Sequence, residues 1–304
     1  MRCSGSTAHS LPLVFPPFMH WQTSRRKIPL QRPLVMGILN ITPDSFSDGG
    51  RFDHVDAALR RAEEMIGEDA DIIDIGGEST RPGSKRVTAE EEIARVLPVI
   101  KAVTKTFDVP LSIDTSKFEV AEAAVAAGAE IINDISGLRF DARVAEAAAK
   151  QKTGLVLMHS RGEFETMHSQ EAVADIMSEV AADFCRAISV AENAGVNDEQ
   201  IVLDVGIGFG KTAEQNLELI AKLDKLVSEF ENFPMLVGTS RKSFIGKLLG
   251  NVPPGERFAG SLATAAIAVW QGAKIVRVHD VKETVEVVWV LDALKSANKN
   301  SEIA

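Results

Sequence analysis

Short apolar runs recur along the chain at 34–39, 72–75, 111–113, 131–132, 154–157, 201–203, 235–237 and 274–278. They lack the apolar–polar alternation of a half-exposed strand, as expected for parallel strands buried on both faces. Between them the period lengthens. Ile93, Val96, Leu97, Ile100 and Val103 share one helical face, and Val173, Ile176, Met177, Val180, Phe184, Ala187, Ile188 and Ala191 form a longer stripe. Thr88 with Glu91, and Thr212 with Gln215, have capping-box spacing; Gly195 and Gly272 stand where helices end. Eight strands alternating with seven helical segments, and an eighth helix near 283–297, predict an α/β protein with a (β/α)8 TIM barrel. An open doubly wound sheet accommodates the same alternation.

The polar residues are not scattered. The first run ends in Asn40 and a glycine-rich segment reaching Gly50; the second runs into Gly77, Glu78, Ser79, Thr80 and Arg81. The next four end in Asp114, Asn133 with Asp134, Met158 with His159, and Asp204 followed by GIGFGK at 206–211. The seventh leads to Ser240, Arg241, Lys242 and Ser243, and the eighth carries Arg277, His279 and Asp280. In a barrel these ends converge on one face, where the chemistry sits. Asp114, Asn133 and Asp204 suit the donor–acceptor edge of a flat heterocycle. Asn40, Arg81, Arg277 and His279 suit an anion such as phosphate. The loops after the first two strands are long enough to close over such a site.

Simpler readings stand beside these. Asp114 is equally placed to cap a following helix. Arg277 is able to pair with a neighbouring carboxylate, and His159 reads better as a structural histidine than as a catalyst. The 206–211 segment resembles a phosphate loop, but Val205 stands where that motif requires glycine. No HExxH pattern marks a zinc site.

Composition narrows the function further. A formal net charge of −10 over 304 residues argues against a broad nucleic-acid or anionic-membrane surface. Two cysteines, Cys3 and Cys185, make neither a disulfide framework nor a thiolate metal site, and point to a reducing cytoplasm. No apolar run approaches the 18 or so residues of a membrane span. Residues 1–18 are short of a secretory signal and are expected to form a disordered extension, with one domain over 19–304.

Two longer motifs add a family resemblance. MGILNITPDSFSDGG at 36–50 and DIGGESTRPG at 74–83 resemble the two signatures of the dihydropteroate synthases, and the likeness continues through 112–115, 132–135, 206–211, 239–242 and 277–280. It spans roughly residues 20–295 and implies a barrel transferase of folate biosynthesis. Such an enzyme joins 4-aminobenzoate to 7,8-dihydropterin-6-ylmethyl diphosphate, uses Mg2+, forms a homodimer and is the target of sulfonamides. The resemblance implies that Asp114, Asn133, Asp204 and Lys242 hold the pterin, with Met158 and Phe209 lining its pocket. It implies a diphosphate site at Asn40 (through Mg2+), Arg277 and His279, and an aminobenzoate site at Thr80, Arg81 and Ser243. Asp204, Lys242 and Arg277 are the residues expected to carry catalysis. One departure is Val205, where the family usually has proline; it restores an N–H and relaxes φ beside Asp204.

Overall fold

The computed structural model describes residues 20–42, 51–81 and 83–301. The expected extension at 1–18 and the glycine-rich segment at 43–50 lie outside the described residues.

The chain opens with a hairpin of β1 (His20–Gln22) and β2 (Lys27–Pro29). The alternating core follows: β3 (Leu34–Asn40), α1 (Arg51–Gly67), β4 (Ile72–Gly76), α2 (Ala89–Thr106), β5 (Leu111–Asp114), α3 (Phe118–Ala127), β6 (Ile131–Asp134) and α4 (Arg143–Gln151). Its second half comprises β7 (Gly154–Met158), α5 (Ile176–Asn193), β8 (Ile201–Asp204), α6 (Ala213–Ala221), α7 (Leu223–Glu229), β9 (Met235–Val237), α8 (Ser243–Leu248), α9 (Phe258–Trp270), β10 (Ile275–Val278) and α10 (Val281–Ser301). Strands β3 to β10 pair in parallel in chain order, and β10 closes onto β3. The structure is therefore the closed barrel and not the open sheet. No helix among the described residues is long and apolar enough to cross a membrane.

The expected strands fall in place, but most extend by a residue or two into the polar positions that follow them. Asn40 pairs with Gly76, Gly76 with Asp114, and Asp114 with Asn133. These three polar residues thus belong to the strand ladder, whereas Thr80, Arg81, Lys242, Ser243 and His279 follow the strand ends. Gly76 lies between the Asn40 and Asp114 side chains: a Cβ there would sit at ordinary contact distance, 3.6 Å, from both Asn40 Oδ1 and Asp114 Oδ2.

Two apolar layers hold the barrel. The larger packs the outward strand residues against the helices and includes Val96, Ile100 and Val103 of α2 and Val180, Phe184 and Ala187 of α5. Val173 lies before α5, which begins at Ile176 behind an Asp175 cap. The smaller layer fills the barrel interior with Leu34, Met36, Ile72, Ile131, Val156, Val202, Leu236 and Ile275. Trp21 of the hairpin is fully buried in this layer and donates its indole N–H to the Gln200 carbonyl at 2.8 Å. The bottom of the barrel is plugged in this way.

Both predicted capping boxes form, at Thr88–Glu91 and Thr212–Gln215. Gly195 and Gly272 follow the ends of α5 and α9 with positive φ.

Candidate active site

A cavity of about 460 Å3 opens at the C-terminal ends of the strands. Asn40, Thr80, Arg81, Asp114, Asn133, Met158, Asp204, Phe209, Lys242, Ser243, Arg277 and His279 all line it. Every residue expected to hold a substrate is therefore brought to one place, although these residues span some 240 positions of the chain.

The floor is a buried network of charges. Arg277 donates from Nε to Asp74 Oδ2 and from Nη2 to Asp114 Oδ2, both at 2.6 Å. Asn133 donates from Nδ2 to the same Asp74 oxygen at 3.1 Å. The simple reading of Arg277 as a carboxylate partner is correct in this structure, and two of its three nitrogens are committed to it. Asp114 is no helix cap, since α3 is preceded by Lys117 without a side-chain cap. Asp74, wholly buried, was not singled out from the sequence. The available signal was an acidic residue inside an otherwise apolar strand, IIDIG, which demands a buried partner.

Burial sets the protonation of this floor. It pushes Asp114 up to about 7, against the pull of Arg277, and Asp74 adds repulsion. It also opposes the Arg277 charge, but Asp74 and Asp114 outweigh it and hold the guanidinium pKa above its ordinary value. Asp204 is pushed up to about 6 by burial, opposed by the Gly206 N–H, which it accepts at 2.8 Å, and by Lys242. Lys242 is pushed down to about 8 by burial and by Arg277, with Asp204 and Asp114 acting the other way. At neutral pH, Asp204 is mostly ionised and Lys242 mostly protonated.

Two loops aim these groups. After β8, Gly206 has φ +63°, where a Cβ would run into the His159 carbonyl. Lys211 closes the turn by donating from Nζ to the carbonyls of Gly206 at 2.7 Å, Phe209 at 3.1 Å and His159 at 3.2 Å. Its three donors meet three acceptors. Burial still pushes its pKa down to about 7. Val205 is wholly buried in the outer layer, while Asp204 faces the cavity. The missing proline therefore leaves the carboxylate supported by Gly206.

After β9, Arg241 adopts φ +58°, an uncommon conformation for a side-chain-bearing residue. Its N–H donates to Ser261 Oγ at 2.9 Å, its carbonyl accepts from Arg257 at 3.0 Å, and its guanidinium pairs with Asp280 at 2.6 Å. These contacts hold the turn that sends Lys242 over the Phe209 ring, with Nζ 4.0 Å from its centroid.

His279 stands at the rim, its Nδ1 3.0 Å from Ser240 Oγ. Burial, then Arg241 and Arg277, push its pKa down to about 3, so it is neutral at pH 7. His159 does not line the cavity; burial and surrounding cations push it down to about 2, which agrees with the structural reading. Sequence reasoning also passed over His168, which lines the cavity from the loop after β7.

A barrel with a charged, acceptor-lined pocket at its strand ends defines a heterocycle-binding enzyme. The comparisons agree: the model of the "Pterin binding enzyme" family matches residues 36–279. The dihydropteroate synthase of Escherichia coli is 50% identical over 273 residues, covering 89% of this chain and 95% of that protein. The structure of the Xanthomonas albilineans dihydropteroate synthase with 4-aminobenzoic acid superposes with a TM-score of 0.85 at 42% identity, covering 91% of this chain and 98% of that one. That of the Burkholderia cenocepacia enzyme complexed with 7,8-dihydropteroate gives 0.82, also at 42%, covering 92% and 98%. The chain belongs to the dihydropteroate synthase family of pterin-binding enzymes.

Proposed function

We propose that this chain condenses 7,8-dihydropterin-6-ylmethyl diphosphate with 4-aminobenzoate, releasing diphosphate and forming 7,8-dihydropteroate. The observation that carries the reading is the convergence of Asp114, Asn133, Asp204, Lys242 and Arg277 on one cavity, in a family with one relative solved with 4-aminobenzoic acid and another complexed with 7,8-dihydropteroate.

In this reading Asp114, Asn133, Asp204 and Lys242 pair with the edges of the pterin, and Met158 and Phe209 form its apolar walls. A site built of buried polar groups rejects rings that leave them unpaired. Arg277, through its remaining nitrogen, and His279 meet the diphosphate. Thr80, Arg81 and Ser243 frame the aminobenzoate. The C–O bond to diphosphate breaks, positive charge develops on the pterin methylene beside the Asp204 carboxylate, and the arylamine nitrogen forms the new C–N bond and loses a proton. A fixed negative charge beside a developing cation stabilises it without reorganisation. Asp204, Lys242 and Arg277 are thus the catalytic residues.

Mg2+ fits as an ion carried with the diphosphate. Among the described residues no group of three or more His, Cys, Asp or Glu side chains forms a metal cage. Asn40 offers one hard oxygen beside Gly76, and Mg2+ is often held by one or two protein oxygens together with substrate phosphates. Asn40 would hold it, and when bound it supplies positive charge to the leaving group.

The same reading takes residues 19–304 as one pterin-binding domain and the chain as a cytoplasmic homodimer. Ile267, Trp270, Trp289, Val290 and Leu294 are exposed on α9 and α10, two helices that pack together, and this apolar face suits a second copy. Sedimentation should return twice the chain mass. The decisive assay supplies the pterin diphosphate, 4-aminobenzoate and Mg2+ and follows both dihydropteroate and diphosphate. Methyl transfer from methyltetrahydrofolate without condensation, or pterin binding without turnover, would replace this reading.

A further inference from the structure

We infer that His168 is a positioning residue for the second substrate: it latches the loop after β4 so that Thr80 and Arg81 are presented to 4-aminobenzoate. This rests on the synthase reading above.

The loop after β4 is firmly tied at its base. Lys117 reaches Glu78 at 2.9 Å and Glu92 at 2.5 Å, Glu78 accepts the Val87 N–H at 2.6 Å, and Arg95 donates to the Gly77 carbonyl at 2.8 Å. The tip is different. Ser79 Oγ meets Ser84 Oγ at 2.8 Å, Arg81 N–H meets Ser79 Oγ at 3.4 Å, and Ser84 N–H donates to the Arg81 carbonyl at 3.0 Å. All three bonds are internal to the loop. Among the described residues, the hydrogen bond that joins this tip to another element is the one at 2.7 Å between His168 Nε2 and the Thr80 carbonyl.

That bond controls more than one atom. A carbonyl only accepts, so Nε2 carries the hydrogen. The peptide group is planar, so restraining the Thr80 oxygen also restrains the Arg81 nitrogen and Cα that share its plane. His168 is itself well placed to act as an anchor. Its neighbour Met167 is buried with Phe164, Met158, Ile135 and Phe209. Its ring lies 6.0 Å from the Phe209 ring, inclined by 36°. Phe209 in turn carries Lys242 on its face. A single exposed imidazole therefore connects the loop after β4, the loop after β8 and the expected pterin wall. It also lines both the main cavity and a second one of about 260 Å3, as Thr80 and Arg81 do.

The test compares the wild type with H168A and with H168Q, whose amide N–H is able to reach the same carbonyl. In the ligand-free protein, exchange of the Thr80, Arg81 and Ser84 amide hydrogens should be faster in H168A and return toward the wild-type rate in H168Q. In the condensation assay, H168A should raise KM for 4-aminobenzoate about tenfold with kcat within about twofold, and H168Q should recover most of the loss. The affinity for a diphosphate-free pterin, read by calorimetry, should be unchanged. Exchange and KM equal to wild type in H168A would overturn the inference. Equal losses for both ligands would also overturn it, since they would report general damage. A wild type without turnover removes the synthase reading and this role together; an active wild type with an unaffected H168A removes only this role.

Discussion

Asp204 is a carboxylate kept charged where burial favours the neutral acid. Its value moves from 3.8 to about 6, and the sign of the consequence follows. Below pH 3.8 both folded and unfolded states are protonated. Between the two values the unfolded state ionises first, so folding loses stability as pH rises through about 6. Asp204→Asn keeps an acceptor for the Gly206 N–H and removes the charge. It should unfold at a higher temperature than wild type at pH 8, lose that advantage by about pH 4, and show little condensation at either. Scanning calorimetry and the assay together check this; a near-normal enzyme would remove Asp204 from the mechanism. The same groups set the pH profile. Asp204 at about 6 and Lys242 at about 8 should give kcat/KM for the pterin diphosphate a bell shape with limbs near those values. Asp114 shares Arg277 and Lys242 with Asp204, so the acid limb belongs to the pair. The Arg277 pairing also changes what its removal would do. Arg277→Ala leaves the buried Asp74 and the partly exposed Asp114 without their partner, so it should destabilise the protein by about 3 kcal/mol, mainly through Asp74, beyond any loss of diphosphate binding.

Among the elements, the turn after β8 depends on Lys211. Its ammonium donates to the carbonyls of His159 and Phe209 and adds a second donor to that of Gly206, which also accepts the Phe209 N–H at 3.1 Å. Lys211→Met fills similar space but donates nothing. It should weaken pterin binding about tenfold or more, with faster amide exchange at 206–211, because Phe209 and the Gly206 support of Asp204 belong to that turn. Unchanged pterin affinity would show that glycine geometry alone holds it. At this scale the chain was partly legible. The capping boxes at Thr88 and Thr212 are local, spaced by three residues, and were read correctly. The apolar stripe from Val173 extends past the helix itself: Val173 packs on the core ahead of α5, and Asp175 accepts the Ser178 N–H and starts the helix at Ile176.

For the whole molecule, the bottom of the barrel is closed and the main cavity faces the strand ends. Trp21 fills the space between inward residues of β3, β4, β6, β7, β8, β9 and β10. Trp21→Ala should lower stability by about 3–5 kcal/mol through the void it leaves, while KM values for both substrates stay close to wild type. A large change in KM with little loss of stability would mean that the plug shapes the site directly.

The strand count, the helix faces, the caps and the polar residues at the strand ends were readable from the chain, because each depends on spacing within a few residues and on the side chain's own chemistry. The two long motifs then named the family. The partners were not readable. Asp74 meets Arg277 across 203 positions, His168 meets Thr80 across 88, and Trp21 meets Gln200 across 179. Barrel closure and strand register bring such residues together, and no local periodicity encodes those distances. The protonation of Asp114, Asp204, Lys242 and Lys211 belongs to the same category. It comes from burial and from charges carried by other strands, which exist only once the barrel has closed.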